Sequence, residues 1–453
     1  MTGCTNTDRT GTCYHPSLKA AMTRFLPCPL FARPASGERW CERYVAVVMV
    51  LISWSCVATL ADRFEEARGS LAVMFAGRKR PGKTYQGLVE AVIRRHKALP
   101  EKLKTHLRSQ VAQTAGARWR FGGAMPCEGG MRRRFVPIGV DGSKVECPRT
   151  VGNELAFGCA GKRRSTPQQW VTTLIHLGSG LVWDFTVGSG LSSEREHMLS
   201  MLPNLPDDAL IVADAGFTGF AFLRSISQGG RHFLIRAGSN VRLLKKLGFA
   251  VEERGSTVYL WPQENQKDQE PLALRLIVLA DGRNRQMHLL TSVPDEGELS
   301  DREASEIYRM RWGVELYYRS LKQTLRRRKL CGGCPLVARA ELDWAMIGLW
   351  LLTLMGADAI RRAGGPYVCL SVARVLRLLR HAARRPTRRV GASGLERQLS
   401  HARPDPYVRA GSKTARDWAH RKKPKPPGAP EARTATETEV MRAQLFRIKR
   451  DAA

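Results

Sequence analysis

Negative charge is scarce in this sequence. Its 41 Asp and Glu residues are outnumbered by 73 Lys and Arg, which leaves a formal net charge of +32 over 453 residues. Half of that excess lies between Arg361 and Ala453, where 23 basic residues face 7 acidic ones. A chain this basic attracts polyanions, so nucleic acid is the leading candidate partner, with an anionic membrane surface or an RNA-rich assembly as alternatives.

The chain also lacks internal repeats and a regular cysteine framework. Its eleven cysteines are odd in number and irregularly spaced, which does not indicate disulfides and favours a reducing cytosol. Cys331 and Cys334 form a CGGC pair, but no second pair has zinc-ribbon spacing. A turn with two free thiols is therefore the better interpretation of this pair.

Two long apolar runs need an interpretation. Residues 44–61 carry no charge over 18 positions, long enough for a marginal transmembrane span, but they contain Ser53, Ser55 and Thr59. The run also starts too far from the N-terminus for a standard signal peptide, unless translation begins at Met22. We predict a buried helix here and a second one at residues 341–360, which acidic residues bracket, and we expect no membrane association.

The length allows two or three domains. Residues 1–38 show no periodicity and are expected to be an unstructured extension, whereas capping signals predict helices in the segment that follows. The predicted boundaries are a helical domain at 39–129, an alternation of strands and helices at 130–237 and 298–335, a β-rich insertion at 238–297, C-terminal helices at 336–385 and a basic, disordered tail at 386–453.

Two predicted strands each end in an aspartate. FVPIGVD (135–141) ends at Asp141, and ALIVAD (209–214) ends at Asp214. If the strands are neighbours, both carboxylates reach one edge of the sheet, where a divalent cation such as Mg²⁺ would relieve their repulsion. Other acids nearby are interpreted as surface or capping residues, namely Asp184, Glu194, Glu196, Asp207 and Asp208.

The stretch YRMRWGVELYYRSLK (308–322) predicts one amphipathic helix. With Tyr308 at the origin, Arg311 falls at about −60°, Glu315 at about −20° and Lys322 at about −40° around the axis, and Arg319 lies beside them. The opposite face is an apolar stripe made of Met310, Val314, Tyr317, Leu321 and Leu325. The polar face is either an ordinary solvated surface or part of a site.

Four motifs together resemble the DDE transposases of bacterial insertion sequences. They are DGS at 141–143, VADAGF at 212–217, LTSVP at 290–294 and the spacing Tyr308-x2-Arg311-x3-Glu315-x6-Lys322. The last is similar to the signature of the group defined by Tyr, Arg, Glu and Lys. The resemblance covers roughly residues 130–330, and the 101 residues from Asp214 to Glu315 leave room for the family's β-insertion.

The resemblance implies an α/β fold: an RNase H-like catalytic core with a β-rich insertion, a helical domain before it and a basic helical or disordered region after it. Asp141, Asp214 and Glu315 would hold catalytic Mg²⁺ or Mn²⁺, with two ions in the site. The activity implied is metal-dependent cleavage at transposon ends followed by strand transfer into target DNA.

The resemblance also implies the DNA contacts. Tyr308, Arg311 and Lys322, with Arg319 beside them, would hold DNA phosphates near the cleavage point. Helices within 39–120 would bind the terminal inverted repeats, and the C-terminal region would supply homodimer contacts in a synaptic complex. The expected location is the cytoplasm, in association with the nucleoid.

One feature departs from the family pattern. Relatives with a hairpin intermediate carry a tryptophan just before the LTS segment, where this chain has Met287 and His288. Trp261 is either a substitute or a buried core residue. Two other functions stay open from the sequence: a different RNase H-like nuclease that cleaves without joining, and a catalytically silent relative that only binds DNA.

Overall fold

A computed structural model describes residues 17–76, 81–121, 135–160, 166–250, 252–261, 268–281, 285–366, 370–387, 394–404 and 428–451. The chain divides into two compact units. The first unit comprises Met1–Trp119, Asp141–Met201 and Trp312–Pro404, and the second comprises Arg120–Val140, Leu202–Arg311 and Asp405–Ala453.

The first unit is mainly helical. Its helices are α1 (Leu18–Phe25), α2 (Glu42–Trp54), α3 (Leu60–Met74), α4 (Tyr85–Arg94), α5 (Ala98–Ala115), α6 (Val151–Phe157), α7 (Glu194–Met201), α10 (Trp312–Arg319), a π-helical turn (Ser320–Thr324), α11 (Pro335–Arg362), α12 (Val372–Ala383) and α13 (Gly394–Ser400). Strands β2 (Gln168–His176) and β3 (Leu181–Ser189) form an antiparallel hairpin in the same unit.

The second unit is built on a sheet. Its strands are β4 (Ala209–Ala213), β5 (His232–Ala237), β6 (Arg242–Lys245), β7 (Thr257–Leu260), β8 (Leu272–Asp281), β9 (Arg285–Thr291) and β10 (Glu431–Thr434), and its helices are α8 (Phe220–Gln228), α9 (Asp301–Met310) and α14 (Glu437–Asp451). Strand β1 (Val136–Glu146) begins in this unit and continues into the first.

The apolar strands at the centre of this sheet pair in parallel. β1 pairs with β4 through Val136–Gly139 against Ala209–Val212, and β4 pairs with β5, both parallel. All five residues of β4 are buried, as expected for a strand covered on both faces. Beyond β5 the order continues antiparallel through β9, β8, β7 and β6, with β10 parallel to β6 at the edge.

Helix α11 is the core of the first unit. It is the described helix that is long and apolar enough to cross a membrane, and its apolar window is wholly buried. The indole Nε1 of Trp54 on α2 donates to the carbonyl oxygen of Gly348 at 2.8 Å. A Cβ at Gly348 would come within 1.8 Å of the Ser53 hydroxyl oxygen, so glycine is required for this close approach. The predicted core helix at 341–360 is confirmed.

The uncharged run that begins at Tyr44 is also a core helix. Helix α2 is buried from Tyr44 to Trp54, which confirms the predicted buried helix over that range. Its C-terminal carbonyl groups accept hydrogen bonds from the buried Arg327 guanidinium, at 3.2 Å for Ile52 and 3.0 Å for Ser53. A cation at this position also complements the negative end of the helix dipole.

The expected unstructured extension at 1–38 is wrong for Leu18–Phe25, which form α1 because its apolar face is buried. Arg24 at the end of α1 donates to Glu396 on α13 at 2.9 Å and also bonds Asp358 on α11. The expected disordered tail at 386–453 is likewise wrong for α13, β10 and α14, whereas residues 405–427 lie outside the described residues.

The two compact units do not follow the predicted domain boundaries. Each unit is assembled from three separated stretches of chain. Helices α2–α5 lie in the segment predicted as helical, and β6–β9 lie in the predicted β-rich insertion. Trp261 is one member of a buried cluster in this insertion that also contains Leu244, Phe249 and Tyr259. Its place there supports the interpretation as a core residue.

Asp184 is not the surface residue that the sequence suggested. Its side chain is fully buried on β3, where Lys104 and Arg108 of α5 approach its carboxylate at 2.9 and 2.8 Å. A buried carboxylate is tolerated only with such partners, so the ion pairs explain its position.

The buried His176 on β2 provides a test of the packing of this strand against Trp119. Its Nε2 donates to the Trp119 carbonyl oxygen at 2.9 Å, and its Nδ1 lies 2.8 Å from the Ser179 hydroxyl, which suits a neutral ring. Burial lowers the pKa of His176 from 6.5 to about 4. Between these values the unfolded chain binds a proton that the folded chain does not, so we expect stability to fall by about 3 kcal/mol as the pH drops through this window.

Chemical denaturation across this pH range checks that expectation. His176→Gln should flatten the pH dependence, whereas the same change at the exposed His381 should leave it as in the wild type. An equal slope in wild type and His176→Gln would contradict the assignment to His176.

Candidate active site

Asp141 lies within β1 and not at its end. The strand continues to Glu146, five residues further than predicted, and burial changes at Asp141: Val136–Val140 are buried, and Asp141–Lys144 are half-buried. The Oδ1 atom of Asp141 accepts a hydrogen bond from the Gly142 N–H at 2.8 Å. The carboxylate therefore emerges where the strand leaves the apolar interior, although the strand itself goes on.

Gly142 is held in a tight space. A Cβ atom there would lie 2.3 Å from Trp170 Nε1 and 2.6 Å from Glu194 Oε1. The Lys144 ammonium lies 4.5 Å from the centre of the Trp170 ring, a cation–π contact. Glu194 was interpreted as a surface or capping residue; it is half-buried in the first turn of α7, and its carboxylate also lies beside Gly142. Sequence gave no signal for this, because the contact joins distant segments.

Tyr318 attaches helix α10 to this segment of β1. Its hydroxyl lies 2.9 Å from the Asp141 carbonyl oxygen, 3.0 Å from the Val171 carbonyl oxygen and 2.9 Å from the Thr173 hydroxyl. The side chain is 6% exposed, so the hydroxyl depends on these partners. Burial raises the pKa of Tyr318 well above its ordinary value, which keeps the hydroxyl protonated as a donor. Sequence reasoning missed this residue because it belongs to neither the signature nor the apolar stripe.

Lys322 makes a second attachment. Its Nζ donates to the Ser143 hydroxyl at 2.7 Å, so the lysine of the signature and the serine of the DGS motif meet in the first unit. Burial lowers the pKa of Lys322, and Arg328 lowers it further, whereas Glu146 raises it. Lys322 is half-buried, so part of the side chain is accessible to a ligand.

Glu315 is positioned by the same helix that carries Tyr318. It lies one turn before Tyr318 on α10 and is half-buried, so the docking of Tyr318 brings its helix face onto the Asp141 segment. Arg319 is exposed at the end of α10. In the first unit, Asp141 lies on β1, Glu315 on α10 and Lys322 on the π-helical turn, and both α10 and the turn are hydrogen-bonded to β1.

The other predicted site residues belong to the second unit. Asp214 directly follows β4, and its Oδ1 accepts a hydrogen bond from the Gly216 N–H at 2.8 Å in a local turn. The side chain is half-buried. Asp214 thus ends its strand as predicted.

Tyr308 and Arg311 lie near Asp214 in this unit. The Arg311 guanidinium is 5.7 Å from the centre of the Tyr308 ring. Burial raises the pKa of Tyr308, Arg311 and Arg236 lower it, and the Asp214 charge raises it. The charges of both guanidinium groups and of the Asp214 carboxylate therefore act on the pKa of the Tyr308 phenol. Arg236 on β5 was absent from the predicted site, and a single Arg in a strand carries no motif that would have found it.

The single helix predicted for 308–322 is wrong. Helix α9 ends at Met310, α10 begins at Trp312, and residues 320–324 form a π-helical turn in which the Leu325 N–H donates to the Ser320 carbonyl oxygen at 2.9 Å. Each break changes the rotation per residue, so positions before and after it no longer share one 100° phase. Of the apolar stripe, Val314, Tyr317, Leu321 and Leu325 are buried, and Met310 is half-buried.

Within the described ranges, no group of three or more His, Cys, Asp or Glu side chains is placed to hold a metal ion. Asp141 and Glu315 belong to the first unit and Asp214 to the second, so the three-carboxylate site stays a prediction. The donor chemistry fits the predicted ion, because carboxylate oxygens are the ligands that Mg²⁺ and Mn²⁺ prefer.

Residues 137–351 match the family model described as the transposase DDE domain. The matched range includes the three predicted acids and the whole Tyr-Arg-Glu-Lys spacing. This part of the chain is therefore similar to transposase DDE domains.

Two relatives point the same way. The chain is 30% identical over 207 residues to the transposase InsG for insertion sequence element IS4 of Escherichia coli (strain K12), covering 43% of this chain and 45% of that one. It is 21% identical over 161 residues to the putative transposase for insertion sequence element IS4SA of Synechocystis sp., covering 34% and 44%. The chain thus spans less than half the length of the curated relatives it matches.

Among solved structures, the chain is similar to the piggyBac transposase in its synaptic complex with hairpin DNA. The TM-score is 0.41 and the identity 11%, over 90% of this chain and 88% of that one.

The neighbouring tyrosines of α10 allow a matched test of the docking contact. Both are buried, but the Tyr317 hydroxyl has one partner at 3.4 Å, the Met346 carbonyl oxygen, whereas Tyr318 has three at 2.9–3.0 Å. We expect Tyr318→Phe to lower the free energy of unfolding by about 1–3 kcal/mol and Tyr317→Phe by less than about 1 kcal/mol. Urea denaturation of the two variants measures the difference, and equal losses would argue against the docking role.

Two glycines offer a second matched pair. Gly142→Ala places a methyl group against Trp170 and Glu194, so we expect a loss of about 1–3 kcal/mol in the free energy of unfolding. Gly313 in α10 has open space around its Cβ position, so Gly313→Ala should be neutral or stabilising by up to about 1 kcal/mol. Thermal unfolding of both variants provides the check. A wild-type unfolding temperature for Gly142→Ala would show that the close approach at Gly142 is unimportant for stability.

Proposed function

We propose that this protein is a DNA transposase that cleaves DNA at the ends of its element and transfers the strands into target DNA. The observation that carries the proposal is the docking of α10 and the π-helical turn on β1, through Tyr318 to the Asp141 backbone and Lys322 to Ser143. That docking brings together the elements that carry Asp141 and Glu315, two of the three proposed acids. Cleavage and joining are proposals for the whole chain, because the matched relatives share less than half their length with it.

We infer that the catalytic core is RNase H-like. Support comes from the parallel strands β1, β4 and β5 in the second unit and from the antiparallel β2–β3 hairpin in the first. The β-rich segment of β6–β9 would be the insertion between Asp214 and Glu315. The helices of 39–129 would form the DNA-binding domain for the inverted repeats.

We propose that Asp141, Asp214 and Glu315 form one site. The register of the parallel pair supports this: Gly139 is opposite Val212, and Asp141 and Asp214 each lie two residues further along the chain. Parallel strands present equivalent positions at the same end, so two carboxylates there would repel each other unless a cation binds. Glu315 would be the third acid, and Tyr318 holds the helix that carries it against β1.

Domains of this family generally use divalent metal ions. We propose Mg²⁺ or Mn²⁺ as the cofactor, two ions in number, with the three carboxylates as ligands. When bound, such ions would lower the pKa of water or a 3′-hydroxyl and stabilise the leaving oxygen. The protein's own part would be to hold the elements that carry Asp141 and Glu315 together through the buried Tyr318 contacts.

The cations of the signature would hold the DNA phosphates. Arg311 offers a planar fork that suits a phosphate group, and Lys322 offers a point charge held at Ser143. Tyr308 presents a protonated phenol beside Arg311, and the exposed Arg319 extends the basic surface along α10. We propose that these residues position the scissile phosphodiester and do not read bases.

The proposed partners are the terminal inverted repeats and target DNA, bound by a homodimer in a synaptic complex. A basic chain of this kind would act in the cytoplasm at the nucleoid. In the full sequence, the feature that favours DNA as partner is the excess of Lys and Arg, half of which lies after residue 360.

Glu315→Gln tests the proposed chemistry. The amide keeps the side-chain volume but loses the charge, so we expect strand cleavage and joining to fall by at least about 100-fold while DNA binding persists. The assay is strand transfer on duplexes that carry the inverted repeats flanking the gene, with Mg²⁺ or Mn²⁺. Glu437→Gln, at an exposed acid of α14, is the matched control and should retain wild-type activity.

The outcomes separate the alternatives. Wild-type cleavage without joining would indicate another nuclease of this fold class, and binding without cleavage would indicate a catalytically silent relative. Joining at the wild-type rate by Glu315→Gln would refute the role of Glu315.

A further inference from the structure

The loop before α11 carries two exposed cysteines that the proposed DNA chemistry does not use. Cys331 and Cys334 are both free thiols, and Cys334 is the N-cap residue of α11. Between them, Gly332 is buried and Gly333 is exposed. We call residues 331–334 the CGGC loop.

Buried polar side chains hold the first half of the CGGC loop. The carboxylate of Glu341 on α11 accepts hydrogen bonds from the Cys331 and Gly332 N–H groups at 2.6 and 3.0 Å. The Nδ2 atom of Asn153 donates to the Gly332 carbonyl oxygen at 3.1 Å. Glu341 is 6% exposed and Asn153 is fully buried, so the backbone of this segment is attached to the interior of the first unit.

The second half of the loop also has fixed contacts. The Thr150 hydroxyl donates to the Gly333 carbonyl oxygen at 2.9 Å. A Cβ atom at Gly332 would lie 2.5 Å from the backbone nitrogen of Ala338, so glycine is required where the loop packs on the first turn of α11. The loop is therefore held closely against α11, and its two cysteines remain exposed.

The sulfur of Cys331 has defined partners. Arg63 Nη2 donates to Cys331 Sγ at 3.7 Å, and the Cys331 thiol donates to the Ala58 carbonyl oxygen at 3.5 Å. Arg63 is itself paired with Glu341 at 3.1 Å, the same carboxylate that holds the loop backbone. These contacts orient the reduced thiol, and its exposure makes it accessible to a small reagent in solution.

The two cysteines lie near one buried phenol. Burial raises the pKa of Tyr85, and Glu341 raises it further. Cys334 and Cys331 also raise this pKa, whereas Arg63 lowers it. Both cysteines are therefore within electrostatic range of the same side chain.

Two thiols at this spacing serve either as metal ligands or as a redox pair. In the described residues, no further His, Cys, Asp or Glu joins them in a group that could hold a metal ion. The carboxylate of Glu341 is engaged with Arg63 and with two backbone N–H groups. A redox pair therefore fits the CGGC loop better than a zinc site does.

We propose that the CGGC loop is a redox modification site, at which Cys331 and Cys334 form a reversible disulfide by exchange with a small disulfide such as oxidised glutathione. One cysteine thiolate attacks a sulfur of oxidised glutathione, which forms a mixed disulfide and releases one glutathione thiolate. The other cysteine thiolate attacks the cysteine sulfur of the mixed disulfide and releases the second glutathione thiolate. The two electrons lost by the cysteines reduce oxidised glutathione, and the two cysteine protons end on the glutathione thiols.

The proposed site does not depend on the proposed transposase function, because the exchange needs only the two thiols and the small disulfide. It lies beside the end of β1. The Leu330 N–H donates to the Glu146 carbonyl oxygen at 2.8 Å, and the Glu146 N–H donates to the Arg328 carbonyl oxygen at 3.2 Å. The disulfide would therefore form directly after the segment that pairs with β1.

Peptide mapping of the full-length protein tests the proposal. Trypsin cleaves after Lys329 and Arg339, so residues 330–339 form one peptide that contains both cysteines of the loop and no other. Residues 44–63 form a second peptide, in which Cys56 is the only cysteine. The reduced, folded protein is equilibrated with reduced and oxidised glutathione, quenched with acid, alkylated in denaturant and digested. Mass spectrometry then measures the state of each peptide.

The expected product is an internal disulfide in the 330–339 peptide, which has lost two hydrogen atoms and resists alkylation. Diluting the glutathione couple about tenfold at a constant ratio of reduced to oxidised form should raise the ratio of disulfide to dithiol about tenfold, because each disulfide releases two glutathione thiols. The exposed Cys56 is the matched control. Its mixed disulfide with glutathione releases one thiol, so its level should stay constant on dilution.

Single substitutions make the result specific. Cys331→Ser and Cys334→Ser each leave one thiol in the peptide, so each should form a mixed disulfide whose level does not respond to dilution. Cys56→Ser should still form the internal disulfide. All three side chains are exposed, and far-ultraviolet circular dichroism verifies that the variants are folded.

Three outcomes for the wild type would overturn the proposal. The 330–339 peptide could stay a dithiol in the most oxidising buffer, or it could carry glutathione without closing the internal disulfide. It could also become linked to the Cys56 peptide or to another cysteine of the chain. None of these results would bear on DNA cleavage or joining, which the strand-transfer assay measures separately.

Discussion

The hydroxyl of Tyr318 is the contact on which the proposed site depends. It lies within 3.0 Å of two backbone carbonyl oxygens, one of them that of Asp141, and it is buried. A buried hydroxyl that lost these partners would keep the cost of desolvation, so the helix cannot slide along the strand without a penalty. Because Glu315 and Lys322 lie on either side of Tyr318 in sequence, their positions relative to Asp141 follow from this one attachment.

The core of the first unit explains how that attachment stays rigid. Helix α11 is surrounded by other helices, and its buried Asp358 and Glu341 are paired with Arg24 and Arg63. Such pairs cost desolvation and do not by themselves indicate high stability, but each would be expensive to break. Two further buried acids, Asp184 and Glu396, are paired with basic residues in the same way, so several of the few acidic residues of the chain serve its interior.

Sequence reasoning succeeded where a local pattern has one physical meaning. The apolar runs of β4 and α11 predicted buried elements because a continuous apolar segment must leave water. It failed for the helix at 308–322, where periodicity cannot show a break: no proline lies near Arg311, and Gly313 falls inside α10 and not at the end of α9. It also failed for Asp184, since a carboxylate looks the same in sequence whether it is solvated or paired.

The sequence by itself determined the basic character, the order of the three acids and the spacing of Tyr308, Arg311, Glu315 and Lys322, because these are properties of residue identity and position along the chain. The tertiary structure decided that Tyr318 joins α10 to β1, that Lys322 meets Ser143 and that Glu194 lies against Gly142. Contacts of this kind join residues far apart in the chain, and their energy depends on packing and burial that no local pattern encodes.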